Sequence, residues 1–172
     1  MLSAQFGITG LAAGAQFGSL AYLDGGGAGL FLGGRMATNG QWLVDFTAGY
    51  VSAQPEPDAQ ERLTTFDLVG LYRFSDFDAS VGTYLGGGLG LVATQVTDPA
   101  VRDSYLGGGL PLVAQAEIDY SPAIGLYLFS SLVARIPVVQ IPVTQIVVNP
   151  TTSTNPKMRA HVALRLGVMY WF

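Results

Sequence analysis

The sequence contains no cysteine, one lysine (Lys157), one histidine (His161) and few charges of either sign. Without cysteine there are no disulfides and no thiolate metal sites, a composition that fits an oxidising compartment where stray thiols are avoided. A single histidine lacking such partners does not make a convincing transition-metal site. Eight basic residues against twelve acidic ones, with no basic stripe, argue against a nucleic-acid partner. No run of about 18 apolar residues occurs, so no transmembrane helix can be drawn. The glycine clusters at 25–29, 86–90 and 107–110 lack the spacing of nucleotide loops and precede no helical pattern, so no cofactor is expected. The first residues, MLSAQFGITG, have neither a basic region nor a long apolar one and do not read as a signal peptide. An export signal is expected to have been removed.

Apolar residues are nonetheless abundant. Of the 172 residues 49% are hydrophobic and 12% charged, about half the charge of an ordinary soluble domain, and the length suits one domain. A chain that is apolar overall but has no apolar helix is either a densely cored soluble protein or a closed membrane barrel, because lipid tolerates only helices and closed barrels.

The dominant pattern is period-two alternation, which sends successive side chains to opposite faces of a strand. In Trp42–Val51 one face carries Trp42, Val44, Phe46, Ala48 and Tyr50, apolar throughout with aromatics at both ends. A lipid-facing strand has this form when its ends sit in two aromatic girdles. From Met158 to Phe172 the pattern recurs, with Leu164, Leu166, Val168, Tyr170 and Phe172 on one face and Arg159, His161, Arg165 and Trp171 on the other. Six further strands are expected at about 2–12, 28–37, 63–74, 80–93, 104–120 and 124–137. The connections 38–41, 75–79 and 121–123 are tight, whereas 13–27, 52–62, 94–103 and 138–157 are long. The expected fold is therefore all-β, a single eight-stranded antiparallel up-and-down transmembrane β-barrel over residues 1–172.

A lipocalin-like soluble fold would turn the apolar faces inward and the charges outward. Charge counting argues against it. Asp45, Asp67, Glu117 and Asp119 nearly balance Arg35, Arg73, Arg135, Arg159 and Arg165, and all nine fall on the less apolar face of their strand. Buried charges must be paired, whereas a solvent face needs no balance.

The final residues, LRLGVMYWF, resemble the C-terminal signature of bacterial outer-membrane barrels: a terminal Phe with apolar or aromatic residues at alternate positions before it. Here these are Leu164, Leu166, Val168, Tyr170 and Phe172. As architecture the whole chain resembles the small eight-stranded group that includes OmpA-like, OmpX-like and OmpW-like barrels. The resemblance implies residence in the bacterial outer membrane, contact with outer-membrane lipids, and reading of the last strand by the barrel-assembly machinery during biogenesis.

Eight strands leave an interior just wide enough for side chains to fill. A polar lumen network is expected from Arg35, Asp45, Asp67, Arg73, Glu117, Asp119, Arg135, Arg159, His161 and Arg165. Across the turns, Arg35 should lie near Asp45 and Glu117 near Tyr127. The inward positions Val51, Val69, Val92, Pro111, Val113, Phe129 and Val133 are expected nearer the long loops. His161, with Ala163 where the lipid A deacylase barrels carry a serine, reads as a lumen hydrogen-bonding residue rather than a catalytic base. The segment 138–157 is unusually apolar for a loop. It is expected to form a lid, to extend the wall, or to meet a protein or surface partner. The functional expectation is a non-enzymatic barrel with a charged, plugged lumen, structural or surface-interacting through its long loops. The alternative, suggested by the OmpW-like resemblance, is a narrow channel or a vestibule for small hydrophobic molecules.

Overall fold

The computed structural model describes residues 9–38, 41–56, 59–76, 80–98, 103–146 and 157–172. Eight antiparallel strands close into one barrel in chain order. They are β1 (Gly10–Ser19), β2 (Gly26–Ala37), β3 (Trp42–Glu56), β4 (Ala59–Arg73), β5 (Val81–Asp98), β6 (Asp103–Ala123), β7 (Leu126–Ile146) and β8 (His161–Trp171). The closing seam is a continuous ladder of β1 against β8, from Gly10–Trp171 to Gly18–Ala163.

The strand count and the alternation agree with the expectation, but several boundaries differ. β1 continues to Ser19, so 13–19 of the expected loop 13–27 is paired strand, and residues 2–8 of the expected strand lie outside the described residues. β3, β4, β5, β6 and β7 all run further toward the long-loop end than expected. The stretches 52–62, 94–103 and 138–146 are therefore wall rather than loop for most of their length. β7 in particular continues through Ile146, so the apolar part of 138–157 extends the barrel wall. Residues 147–156 of that segment lie outside the described residues. At the other end, the expected turn at 121–123 is paired strand, and the chain reverses at Ile124–Gly125. Gly125 has φ 76°, a left-handed conformation that L side chains rarely adopt.

Apolar side chains of every strand point outward. Leu30, Leu32, Leu68, Leu89, Leu112, Leu132 and Leu166 are among those left exposed. At the short-turn end Trp42, Tyr72 and Phe74 meet edge to face, with centroids 5.2 and 5.1 Å apart, and Tyr170 meets Phe172 at 5.9 Å. Phe17 and Tyr50 stand toward the other end of β1 and β3, Tyr50 just before the outward side turns polar at Ser52. The strands thus carry an apolar band with aromatics at both margins, the surface a bilayer requires.

The hydrogen-bond rows run obliquely. One row passes through Gly10, Arg35, Asp45, Val69, Gly88, Val113, Arg135 and His161. It returns to β1 beyond Gly18, at the opposite end of the strand from which it left. This stagger is the geometric condition for closing tilted strands into a cylinder. It also means that rows climb toward the long-loop end on passing from β1 to β8.

Inward positions are crowded. Gly14 and Gly167 face each other across the seam, and a Cβ on either would come within 3 Å of the Phe31 ring. Together with the close backbone of the facing strand, the ring leaves no room for those side chains, which explains two glycines in the middle of paired strands.

Candidate functional site

The lumen is the only region where the described charges converge, and it divides into two parts. Nearer the short turns lies an ionic layer. Arg35 on β2 is held by Asp45 on β3, with Nε donating to Oδ1 at 2.5 Å and Nη2 to Oδ2 at 2.6 Å; Nη2 also lies 2.7 Å from Glu117 Oε1 on β6. Gln115 donates to Glu117 Oε2 at 3.1 Å and to Asp45 at 3.4 Å, tying the two carboxylates together. On the opposite side Asp67 of β4 receives two arginines. Arg135 of β7 donates through Nε and Nη2 at 3.0 and 2.6 Å, and Arg165 of β8 through Nη2 at 2.6 Å. Arg165 also donates to Gln16 of β1 at 3.3 Å and lies over the Phe31 ring. Asp119 accepts from the Tyr84 hydroxyl and the Gly82 N–H, both at 2.8 Å. These groups are buried, and the bidentate geometry supplies the pairing that buried guanidinium and carboxylate require.

A cavity of about 20 Å³ remains beside Arg35 and Asp45. Arg35 Nη1, Gln115 Oε1 and Ser131 Oγ belong to residues that line it and have no protein hydrogen-bond partner. Its size suits about one water molecule, with donor and acceptor groups on its walls.

Toward the long loops the lumen is closed differently. The β1–β2 connection, residues 20–25, folds inward, and Leu20 and Ala21 are buried. They pack with Val51, Ala53, Leu63, Val92 and Met158, with Tyr22 and Leu23 against the cluster. One side chain fastens this cap. The carboxylate of Glu61 on β4 accepts the backbone N–H groups of Ala21 (2.9 Å), Tyr22 (3.2 Å) and Leu23 (2.9 Å), and the Thr94 hydroxyl at 3.4 Å. The segment leading into β8 adds a backbone bond from Arg159 N–H to Ala21 O at 2.8 Å. Burial, and secondarily the Glu61 carboxylate, push the Tyr22 phenol above its ordinary pKa.

Of the ten residues expected in the lumen network, Arg35, Asp45, Asp67, Glu117, Asp119, Arg135 and Arg165 join the ionic layer. Arg73 is buried at the short-turn end, donates to Ser75 Oγ at 3.1 Å and lies over the Tyr84 ring. His161 is buried in the lumen wall and opposite Arg135 in the ladder, and neither ring nitrogen has a side-chain hydrogen-bond partner. Arg159 is a correction: β8 starts only at His161, and Arg159 stands exposed in an ion pair with Asp24 outside the lumen. The strand alternation does not extend back to it, and the neighbouring Met158 is the residue buried at that level. Glu117 faces Ser131 rather than lying by Tyr127, because the turn falls at 124–125 with a register shift between Tyr120 and Ala123. Val69, Val113 and Val133 pack with Leu43, Leu71 and Tyr84, and Phe129 packs with Phe31 and Met169. Only Val51 and Val92 of the expected loop-side residues join the cap cluster. Glu61, which fastens the cap, escaped the sequence reading because 52–62 looked like a polar loop.

No family model matches this chain, and no curated protein does. Solved structures do resemble it. Neisserial surface protein A superposes with a TM-score of 0.73 at 15% identity, covering 99% of this chain and 100% of that one. OprG of Pseudomonas aeruginosa gives 0.65 at 12% identity, with 96% of each chain covered. Ail, the attachment invasion locus protein of Yersinia pestis, gives 0.62 at 14%, covering 96% and 99%. The chain has the fold of the small outer-membrane barrels. As in any such barrel the outward alternate residues make the apolar band, and in this outer-membrane fold Leu164, Leu166, Val168, Tyr170 and Phe172 contribute to it from β8. The same strand is anchored at its end by Phe172 N–H donating to Thr9 O at 3.0 Å.

Proposed function

We propose that the protein is a closed, non-enzymatic outer-membrane barrel that acts at the cell surface through its long-loop end and does not pass solutes. The observation that carries this reading is the double obstruction of the lumen. Arginine–carboxylate bridges cross it at one level, and the chain's own residues 20–23 fill it at another. An ion entering would have to separate several desolvated charge pairs, a cost of several kcal/mol each. A catalytic role is unsupported, since His161 has Ala163 rather than a nucleophile two residues on. A vestibule for small hydrophobic molecules is less well supported, because Leu20, Ala21 and Met158 take up the apolar space it needs. The outward face of β8 suits recognition by the barrel-assembly machinery. The wall extension and the segment up to 157 suit contact with a surface partner.

Planar-bilayer recording of the folded protein tests the main claim. Silence at moderate voltage is expected, and discrete conductance steps would overturn it. Deletion of 140–148 with an unchanged surface phenotype would remove the partner role.

A further inference from the structure

The outer wall of the barrel does not change character evenly toward the long-loop end. On β3, beyond Tyr50, the outward positions are Ser52 and Gln54; on β4 they are Arg62 and Gln60; on β5, beyond Ala93, they are Gln95 and Thr97. Such a change is what a wall leaving lipid for water needs. β6 and β7 do not make it. Beyond the Leu112–Ile136 pair the outward positions are Leu110 opposite Val139, Gly108 opposite Ile141, then Leu106. Val138, at the register shift, is 63% exposed, Val139 51% and Ile141 49%. No residue of 136–146 is charged.

The register makes the contrast sharper. One row runs Ser52, Arg62, Gln95, Leu106, turning from polar to apolar as it reaches β6, and on β7 it meets Thr144, just beyond the apolar stretch that ends at Ile141. Because rows climb toward the long-loop end from β3 to β7, Leu106 and Ile141 stand farther out than Ser52, not nearer the bilayer centre. The apolar face is continuous with the lipid-facing band through Leu112, Ile136 and Leu132. β7 has no β8 partner beyond Arg135 among the described residues, but with Pro137 and Pro142 this stretch has fewer N–H donors to offer. The edge is thus poorly suited to adding another strand, and its apolar side chains are what it offers.

Resting on the outer-membrane reading above, we propose that outer-leaflet acyl chains cover the outward face of β6 and β7 as far as Ile141. Lipid then climbs one side of the barrel on the order of 10 Å higher than the β3–β5 side, through tilt of the barrel or local thickening of the leaflet.

The chain has no cysteine, so single cysteines can be introduced and spin-labelled without background. Val139→Cys, Ile141→Cys and Leu106→Cys are compared with Leu132→Cys in the band and with Gln54→Cys and Gln95→Cys on the polar side. Each is folded into dioleoyl phosphatidylcholine vesicles and checked by its heat-modifiable mobility. Collisions with oxygen, which partitions into acyl chains, are measured against collisions with a water-soluble nickel complex. The expected oxygen-to-nickel ratio at 139, 141 and 106 matches that at 132 and exceeds that at 54 and 95 by roughly tenfold. If 132 is oxygen-rich but 139, 141 and 106 are nickel-accessible, the proposal falls while the membrane reading stands. A nickel-accessible 132 would bring down both. Shielding of 139 from both reagents, with dipolar broadening that grows with protein-to-lipid ratio, would mean a second copy covers the face and would also overturn it. Leu106 lies on a different strand from Val139 and Ile141, so the test survives a folding defect in β7.

Discussion

The two halves of the lumen are closed by different physics. Near the short turns, charges from β2, β3, β4, β6, β7 and β8 meet in pairs across the interior, and each pair ties the wall to itself. Near the long loops a piece of chain that belongs to no strand folds inward, held by one carboxylate and a small apolar cluster. A plug made of wall side chains can be removed only by breaking the barrel's own cross-links. A plug made of a connecting segment can in principle leave while the wall stays intact. The first is part of the barrel's stability, and the second is a separate local structure with its own lower opening cost.

Breaking the ionic half should give the largest effect. Asp67→Ala leaves Arg135 and Arg165 buried without their shared counter-charge, and a loss of about 3–5 kcal/mol is expected. Urea unfolding of the barrel in lipid vesicles measures it. A loss below about 1 kcal/mol would mean that water or other groups already carry those arginines, and the distinction between the halves would collapse. An intermediate effect is expected from Glu61→Ala, which removes the acceptor for three backbone N–H groups at once. Roughly 2–3 kcal/mol is expected, most of it local. Hydrogen exchange should speed up at residues 21–23 and stay unchanged at Arg135 and Arg165. Equal acceleration in both regions would show that cap and ionic layer open together. The smallest effect belongs to Arg159→Ala. Its exposed pair with Asp24 should contribute about 0–1 kcal/mol, and unfolding curves should nearly coincide with those of the unaltered chain.

Where the two faces of a strand differ strongly, the architecture could be read without coordinates. Arg35 and Asp45 flank a tight turn, and counting outward from that turn places them opposite each other, as they are. β1 shows the reverse. Its inward residues are Gly10, Ala12, Gly14, Gln16 and Gly18, and between Leu11 and Phe17 its outward ones are only Ala13 and Ala15, so the alternation is faint through the middle. At Gly14 and Gly18 a side chain would run into the backbone of β8, and at Gly14 also into the Phe31 ring, demands made by other strands and invisible in β1 itself. Glu61 was hidden for a different reason. Above the apolar band the outward side of β4 becomes polar at Arg62 and Gln60 while the inward side holds Glu61, so a paired strand looks like a hydrophilic loop. The partners of Asp67 were also beyond sequence reasoning. Its parity placed it inward, but that it reaches β7 and β8 rather than its neighbours follows from the barrel's diameter and side-chain length.

That reach has a bearing on how the chain is put together. Asp67 is made 68 residues before Arg135 and 98 before Arg165, so the groups that neutralise it arrive with the last two strands. A chain cut short before Arg165 therefore carries a half-answered carboxylate inside an unsealed wall, and one cut before Arg135 carries a wholly unanswered one. The crossbar from β4 to β7 and β8 acts as a test of completeness: the early strands are satisfied electrostatically only when the strands that close the cylinder have taken their places.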